Sequence, residues 1–278
     1  MNIFYVNGIY VEEDKARIPV TDLSVLRGFG VFDFLRTYNG VPFHLADHLS
    51  RLERSAKLIG LSLPKPVAQI EDIVLETLRR NNHPESNIRI VVTGGQSRDG
   101  ITPGSSPLLM VMVSAVSHFP PELYTKGAKL ITCHVDRFIP GAKSINYIPA
   151  ILSLAEARNQ DGLEAIYVDR DGFLQEGTTS NFFGFIGSRL VTPPCDRVLP
   201  GITRQVVLEL ARNEFNIEQR QIHKDEIRLL DEAFITSSVK EVIPVSAIDS
   251  ITLQGASVGR NSGRIMELFK EYTAHYRG

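Results

Sequence analysis

Residues 138–152 read FIPGAKSINYIPAIL, and the lysine at position 143 decides how the rest of the chain is read. It lies between Ala142 and Ser144, with Tyr147 four places further on and little charge nearby. A solvated lysine usually travels among other polar residues. Two readings stand: an ordinary surface lysine, or an ammonium held in a pocket where its amine becomes a nucleophile. The stretch alone leaves both open.

The composition narrows the class. At 278 residues the chain is long enough for one large or two medium domains with a substantial core. Hydrophobic content of 43% and charged content of 22% are those of a globular protein. A net charge of −2 gives no reason to expect nucleic acid or an anionic membrane as partner. No apolar run approaches the roughly 20 residues needed to cross a bilayer, and the alternating N-terminus MNIFYVNGIYVEEDK does not read as a secretory signal. Cys133 and Cys195 form no metal or disulfide framework; they read as buried, inert thiols in a reducing cytoplasm.

Hairpins are expected at Asn7-Gly8 and Asn39-Gly40, each a two-residue turn between alternating strands. Leu45, Leu49, Leu52, Ala56 and Ile59 fall at helical spacing, as do Ile70, Ile73, Val74, Thr77 and Leu78. Strands NIRIVVTGG and PLLMVMVSAV complete an antiparallel first half of α+β type, residues 1–116. SHFPPELYTKG, residues 117–127, reads as a connector, because its proline pair cannot continue a strand. Residues 128–278 then alternate strands such as AKLITCHV and EAIYVD with helices over PAILSLAEARNQ, TRQVVLELARNEF and GRIMELFKEYTAHY.

Several stretches carry candidate chemistry. LPGITRQVVLELA, 199–211, opens a helix at Thr203, whose first-turn amides suit a phosphate; a plain threonine cap is the alternative. LQEGTTSNFFGFI, 174–186, places Glu176 in what reads as a loop before three hydroxyls. FITSSVKEVIPV, 234–245, runs a strand into clustered hydroxyls that can cap a turn or bind phosphate oxygens. Arg51 sits at the edge of the first helix's apolar stripe, where it can snorkel or offer its fork to an anion. Arg27 precedes a Gly-x-Gly turn and Arg89 lies inside a strand. His44 and His48 are four apart, but no third ligand stands nearby, so they read as polar residues at a helix start and no metal is expected.

In this order the motifs resemble the class IV aminotransferases, the fold-type IV pyridoxal-phosphate enzymes, from RGFGVFDFLRTYNGVPFHLADHLSRLERSA to FITSSVKEVIPV. The resemblance implies a small N-terminal α+β domain and a larger C-terminal mixed-sheet domain with the cofactor between them. It makes Lys143 the Schiff-base lysine, which also carries the proton between the substrate α-carbon and the cofactor. Arg51 would bind the cofactor phosphate with Ile202, Thr203, Ser237 and Ser238. Glu176 would pair with the pyridine nitrogen, Tyr147 would lie near the ring oxygen, and Thr179 would touch substrate. Ping-pong transamination between an amino acid and a 2-oxo acid follows.

The pocket departs from many relatives: Arg27 and Phe29 replace an aromatic and an aspartate, and the TGGQSRDG loop lacks an Arg-x-His carboxylate trap. Arg27 and Arg89, with Arg98 as a further candidate, therefore suit a dicarboxylate, and the substrate reading is a D-amino-acid transaminase using D-glutamate and 2-oxoglutarate. Arg27 has a structural alternative, an ion pair with Asp22 or Asp33. Other activities weighed are an L-branched-chain aminotransferase with Phe32 in its apolar side-chain pocket, aminodeoxychorismate lyase, and a cofactor-carrying protein without turnover. The family also implies a homodimer.

Overall fold

Two Asn-Gly pairs set the first sheet. Asn7 and Gly8 (φ 45° and 109°) and Asn39 and Gly40 (54° and 75°) all take positive φ, as a two-residue turn between twisted strands requires. In the computed structural model, which describes residues 1–253 and 258–278, they join β1 (Ile3–Val6) to β2 (Ile9–Glu12) and β3 (Gly30–Tyr38) to β4 (Val41–Pro42). With β5 (Ser86–Thr93) and β6 (Leu108–Ala115) these strands form an antiparallel sheet of order β2-β1-β6-β5-β3-β4. Helices α2 (Leu45–Leu58) and α3 (Val67–Arg79) lay Leu49, Leu52, Ile70 and Val74 onto Leu35, Ile88, Ile90 and Val111 of that sheet. The short α1 (Leu23–Arg27), capped by Asp22 and ended by Gly28 in the left-handed region, has too few residues to show a periodicity.

The chain packs as two units. The first comprises Met1–Ser117, Ala142–Asn146 and Tyr276–Gly278; the second comprises His118–Gly141 and Tyr147–His275. β4 pairs only Thr37 and Tyr38 of β3. The N-terminal part of that strand instead meets the Lys143 segment, through a bridge from Val31 to Ser144.

The second unit begins with α4 (Glu122–Lys126), so the stretch read as a connector contains a helical turn, and its Leu123 and Tyr124 pack on the second core. There follow β7 (Ala128–His134), α5 (Ile148–Asn159), β8 (Glu164–Val168), β9 (Phe173–Gly177), β10 (Asn181–Ile186), β11 (Arg189–Thr192) and α6 (Ile202–Ala211). Then come β12 (Asn216–Gln219), β13 (Ile222–His223), β14 (Glu232–Ser237), β15 (Glu241–Ile248), β16 (Ile251–Thr252) and α7 (Arg260–Ala274). The strands form a mixed sheet of order β12-β11-β10-β14-β15-β7-β8-β9-β13, with β16 on β15. The fold expected from the resemblance, an α+β unit followed by a mixed-sheet unit, is the one observed.

Two local readings change. Glu176 lies in β9 and not in a loop, because the following turn, not Glu176 itself, carries the run of hydroxyls. Cys195 is exposed and Cys133 partly so; both thiols are free. Glu232 is buried, and its carboxylate accepts from the amides of Asn261 (3.1 Å) and Ser262 (2.7 Å), capping α7 from a strand.

Phe183 and Phe234 face one another across β10 and β14, fully buried, with ring centroids 4.7 Å apart and planes 8° from parallel. Phe183→Ala is expected to cost about 3–5 kcal/mol, from lost burial and an unfilled cavity. Urea denaturation followed by circular dichroism measures it, and an unchanged midpoint would contradict this account of the core.

Candidate active site

Lys143 is placed by the backbone of β3. The Phe32 amide donates to the Lys143 carbonyl (2.9 Å) and the Ile145 amide donates to the Gly30 carbonyl (3.1 Å). The Lys143 amide donates to Ser55 Oγ on α2 (3.1 Å). Gly30 permits the approach, since a Cβ there would lie 2.7 Å from the Val92 carbonyl oxygen and 3.0 Å from Ile145 Cδ1. The half-buried amine is thereby held with Nζ 4.7 Å from the centroid of the Phe32 ring. Arg89 meets the same ring: its guanidinium carbon lies 5.2 Å from Phe32 and 5.0 Å from Phe34. Lys143 and Arg89 are thus gathered on one aromatic side chain.

Arg51 is not at the edge of its helix face but buried, with Nε 2.9 Å and Nη2 2.7 Å from the two oxygens of Asp33. His48 is fully buried beside it, Nδ1 lying 2.6 Å from Asp33 Oδ1, so it is no helix-start surface residue. Burial alone would push Asp33 up, but Arg51 and then His48 outweigh it and hold the carboxyl well below the usual range. Burial lowers His48, more than Asp33 raises it, so the imidazole is neutral. It donates its Nδ1 proton to Asp33, and Nε2 has no partner among the described residues. His44 caps nothing with its side chain and pairs with Asp47 (2.9 Å).

Arg27 is exposed at the end of α1 and donates to the Leu26 carbonyl. The two aspartates considered as its partners are engaged elsewhere: Asp22 with Ser24 and Thr93, Asp33 with Arg51 and His48. Arg98 is exposed.

In the second unit, the buried Glu176 carboxylate accepts from the Leu199 amide (3.0 Å) and from Arg137 Nη1. It lies on the wall of a cavity of about 370 Å³ with Arg137, Tyr167, Gln175 and Arg197. Burial drives the Tyr167 phenol up, so it stays protonated. Helix α6 starts at Ile202 behind Gly201, with no side-chain cap, so the plain threonine cap is excluded. Ile202 and Thr203 are buried in its first turn. Ser237 Oγ accepts from the Lys240 amide (3.1 Å), and Ser238 beside it is half-buried. Tyr147 is half-buried at the start of α5, and half-buried Thr179 donates to Glu164.

The residue types of each unit suit pyridoxal phosphate: the first carries an amine for the aldehyde, and the second carries a buried carboxylate for the ring nitrogen and an uncapped helix start with hydroxyls for the phosphate. Among the described residues the buried hydroxyls of Thr178 and Thr236 have no partner; they border the turn after Glu176 and the Ser237–Ser238 turn. Sequence reasoning missed Asp33, His48, Arg137, Glu164 and Lys240. The His48-x-x-Arg51 spacing, one helical turn, was the available signal for His48; the others meet only in the folded chain.

Residues 30–248 match the amino-transferase class IV family. The chain belongs to that family, whose cofactor is pyridoxal 5′-phosphate. A Methanocaldococcus jannaschii protein provisionally named branched-chain-amino-acid aminotransferase is 36% identical over 274 residues, covering 96% of this chain and 95% of its own. A D-alanine aminotransferase of Bacillus licheniformis is 31% identical over 258 residues, covering 91% of this chain and 90% of its own. The branched-chain aminotransferase of the thermophilic archaeon Thermoproteus uzoniensis, solved with norvaline, superposes with a TM-score of 0.89 at 27% identity, over 98% of this chain and 95% of that one.

The Asp33 cluster has a definite pH signature. Both the depressed Asp33 and the depressed His48 bind fewer protons folded than unfolded, so stability rises with pH through their titration. It is expected to be lost as pH falls below about 6.5 for His48 and further below about 4 for Asp33. Asp33→Asn leaves the Arg51 charge buried without its partner, costs about 3–5 kcal/mol, and removes the Asp33 part of the acid limb, flattening the melting temperature measured from about pH 4 to pH 2. A variant melting in parallel with the wild type across that range would refute the assignment.

Proposed function

We propose that this aminotransferase exchanges amino groups between D-amino acids and 2-oxo acids, with D-glutamate and 2-oxoglutarate as one pair. The observation that carries the reading is Arg89, whose guanidinium shares the Phe32 ring with the Lys143 amine. A cation so placed suits a substrate with a second carboxylate, because planar guanidinium binds carboxylate through paired hydrogen bonds. Arg27 is assigned the other carboxylate contact, and Phe32 and Thr179 flank the side chain.

The bound cofactor supplies an aldehyde that condenses with amines and a protonated ring that draws electrons from the substrate α-carbon. Lys143 would anchor it, and its amine, once free, would carry the proton between the substrate α-carbon and the cofactor. Glu176 keeps the ring nitrogen protonated, and its bond from Leu199 fixes its direction. Arg51, Ile202, Thr203, Ser237 and Ser238 bind the phosphate, the helix start and the guanidinium favouring its charge. Asp33 holds the Arg51 fork in one orientation, and His48 donates to the same carboxylate. Tyr147 takes the ring oxygen.

A homodimer is part of the proposal: Ile148, Ile151 and Leu152 are 61–68% exposed on one stretch of α5, an apolar patch suited to a second copy. A cytoplasmic setting agrees with two free thiols. Among the described residues no helix is long and apolar enough to cross a membrane.

A second reading, an L-branched-chain aminotransferase, is favoured by the 36% identical relative and by the apolar Phe32 beside Lys143. Half-reactions separate the two. D-glutamate is expected to bleach the visible absorbance of the cofactor within one turnover, whereas L-leucine leaves it; the reverse result refutes the D-specific reading. Arg89→Ala is expected to raise KM for D-glutamate roughly 10–100-fold, as loss of a charge-assisted contact of about 1.5–3 kcal/mol implies, with D-alanine much less affected. Borohydride reduction is expected to tag Lys143, and Lys143→Ala to abolish turnover.

A further inference from the structure

We propose that Lys240 is a positioning residue of this site, holding the segment from Glu176 to Ser180 through the buried carboxylate of Glu164. The inference rests on the cofactor roles proposed for Glu176 and the hydroxyl turns, and it concerns residues to which those roles assign nothing.

Glu164, the first residue of β8, is 1% exposed. Lys240, in the turn between β14 and β15, is also buried, and its Nζ lies 2.6 Å from Glu164 Oε1. The same ammonium donates to Thr179 Oγ1 (2.7 Å), and the Thr179 hydroxyl donates to Glu164 Oε1. Ser180 Oγ donates to Glu164 Oε2 (2.6 Å). One carboxylate therefore accepts both hydroxyls of the turn that follows Glu176. Gly177 makes room for it, since a Cβ there would lie 2.6 Å from Glu164 Oε2.

Burial would raise the Glu164 carboxyl, but Lys240, Ser180 and Thr179 outweigh it and keep it ionised. A buried ion pair is weak evidence for stability, because two desolvated charges offset much of their own attraction. Its geometric effect is larger here. The pair joins three stretches: β8, the turn after Glu176, and the Ser237–Lys240 turn, where the Lys240 amide also donates to Ser237 Oγ. The ring of Phe119, 5.6 Å from Nζ, shields the ammonium. Remove the cation and an uncompensated carboxylate is left inside the sheet. It must protonate or move, and Thr179, Ser180 and the strand end at Glu176 move with it.

Three proteins test this: wild type, Lys240→Met and the double variant Glu164→Gln/Lys240→Met, in which no buried charge is left unpaired. Each is measured for melting temperature, for affinity of the apoprotein for pyridoxamine phosphate, and for kcat and KM with D-glutamate. Lys240→Met is expected to melt lower, bind pyridoxamine phosphate more weakly and lose roughly 10–100-fold in kcat, the scale of an ångström of misplacement. The double variant is expected to regain the melting temperature but not kcat or affinity. If it regains all three, Lys240 is merely structural and the inference is overturned, as it is if Lys240→Met retains wild-type kcat and affinity. Should Lys240→Met fail to fold, the double variant alone decides by the same outcomes. Wild-type protein that takes up no cofactor overturns the functional reading and this inference together, whereas a fully active wild type with equally active variants overturns this one alone.

Discussion

The site depends on a strip of backbone five residues long. Residues 142–146 are far in sequence from β3, yet two hydrogen bonds tie them to its edge, from the Phe32 amide to the Lys143 carbonyl and from the Ile145 amide to the Gly30 carbonyl. That edge is available because β4 pairs with only the last two residues of the strand. Directional backbone bonds orient the lysine stem, so its placement does not depend on what the amine meets. The amine can then serve chemistry rather than structure.

Three buried carboxylates in the two units each sit in a separate group with a close cation. Asp33 takes Arg51 and the proton of His48; Glu164 takes Lys240 and two hydroxyls; Glu176 takes Arg137 and the Leu199 amide. Each carboxylate is desolvated at a cost that only a close cation or several donors offset. Replacing one member leaves a charge in the interior, so these groups resist conservative exchange as well as gross substitution. They also fix directions: a fork held by two oxygens, a turn held by one carboxylate.

Local patterns in the sequence predicted what local physics determines. The Asn-Gly turns appear where two positive-φ residues were expected, and the apolar stripes of α2 and α3 face the sheet. Thr203 stands at a helix start, although the cap itself is Gly201. The family resemblance, confirmed over residues 30–248, supplied the cofactor, which composition and spacing could not. What stayed hidden is long-range. Nothing near Arg51 in sequence announces that Asp33, 18 positions earlier, claims its fork. Glu164 and Lys240 stand 76 residues apart and meet only because β8 and the turn after β14 converge on one sheet. The position of Glu176 in a strand was obscured by the polar run behind it, which reads as loop because hydroxyls and glycine compete with regular structure.

The last turn of the chain bears on how the protein is made. Tyr276–Gly278 belong to the first unit: the Tyr276 hydroxyl accepts from the His44 amide (2.8 Å), its carbonyl accepts from Asn39, and its ring lies 4.9 Å from Phe43. The first unit is therefore drawn from three separated stretches, one of which leaves the ribosome more than 150 residues after its sheet is complete. Domains commonly fold in the order they are synthesised, but here the β3 edge stays open until residues 142–146 have emerged, and Phe43 stays uncovered until residue 276 has. Nascent chains of this protein thus pass through an interval in which first an exposed strand edge and then an uncovered aromatic ring need shelter from other chains.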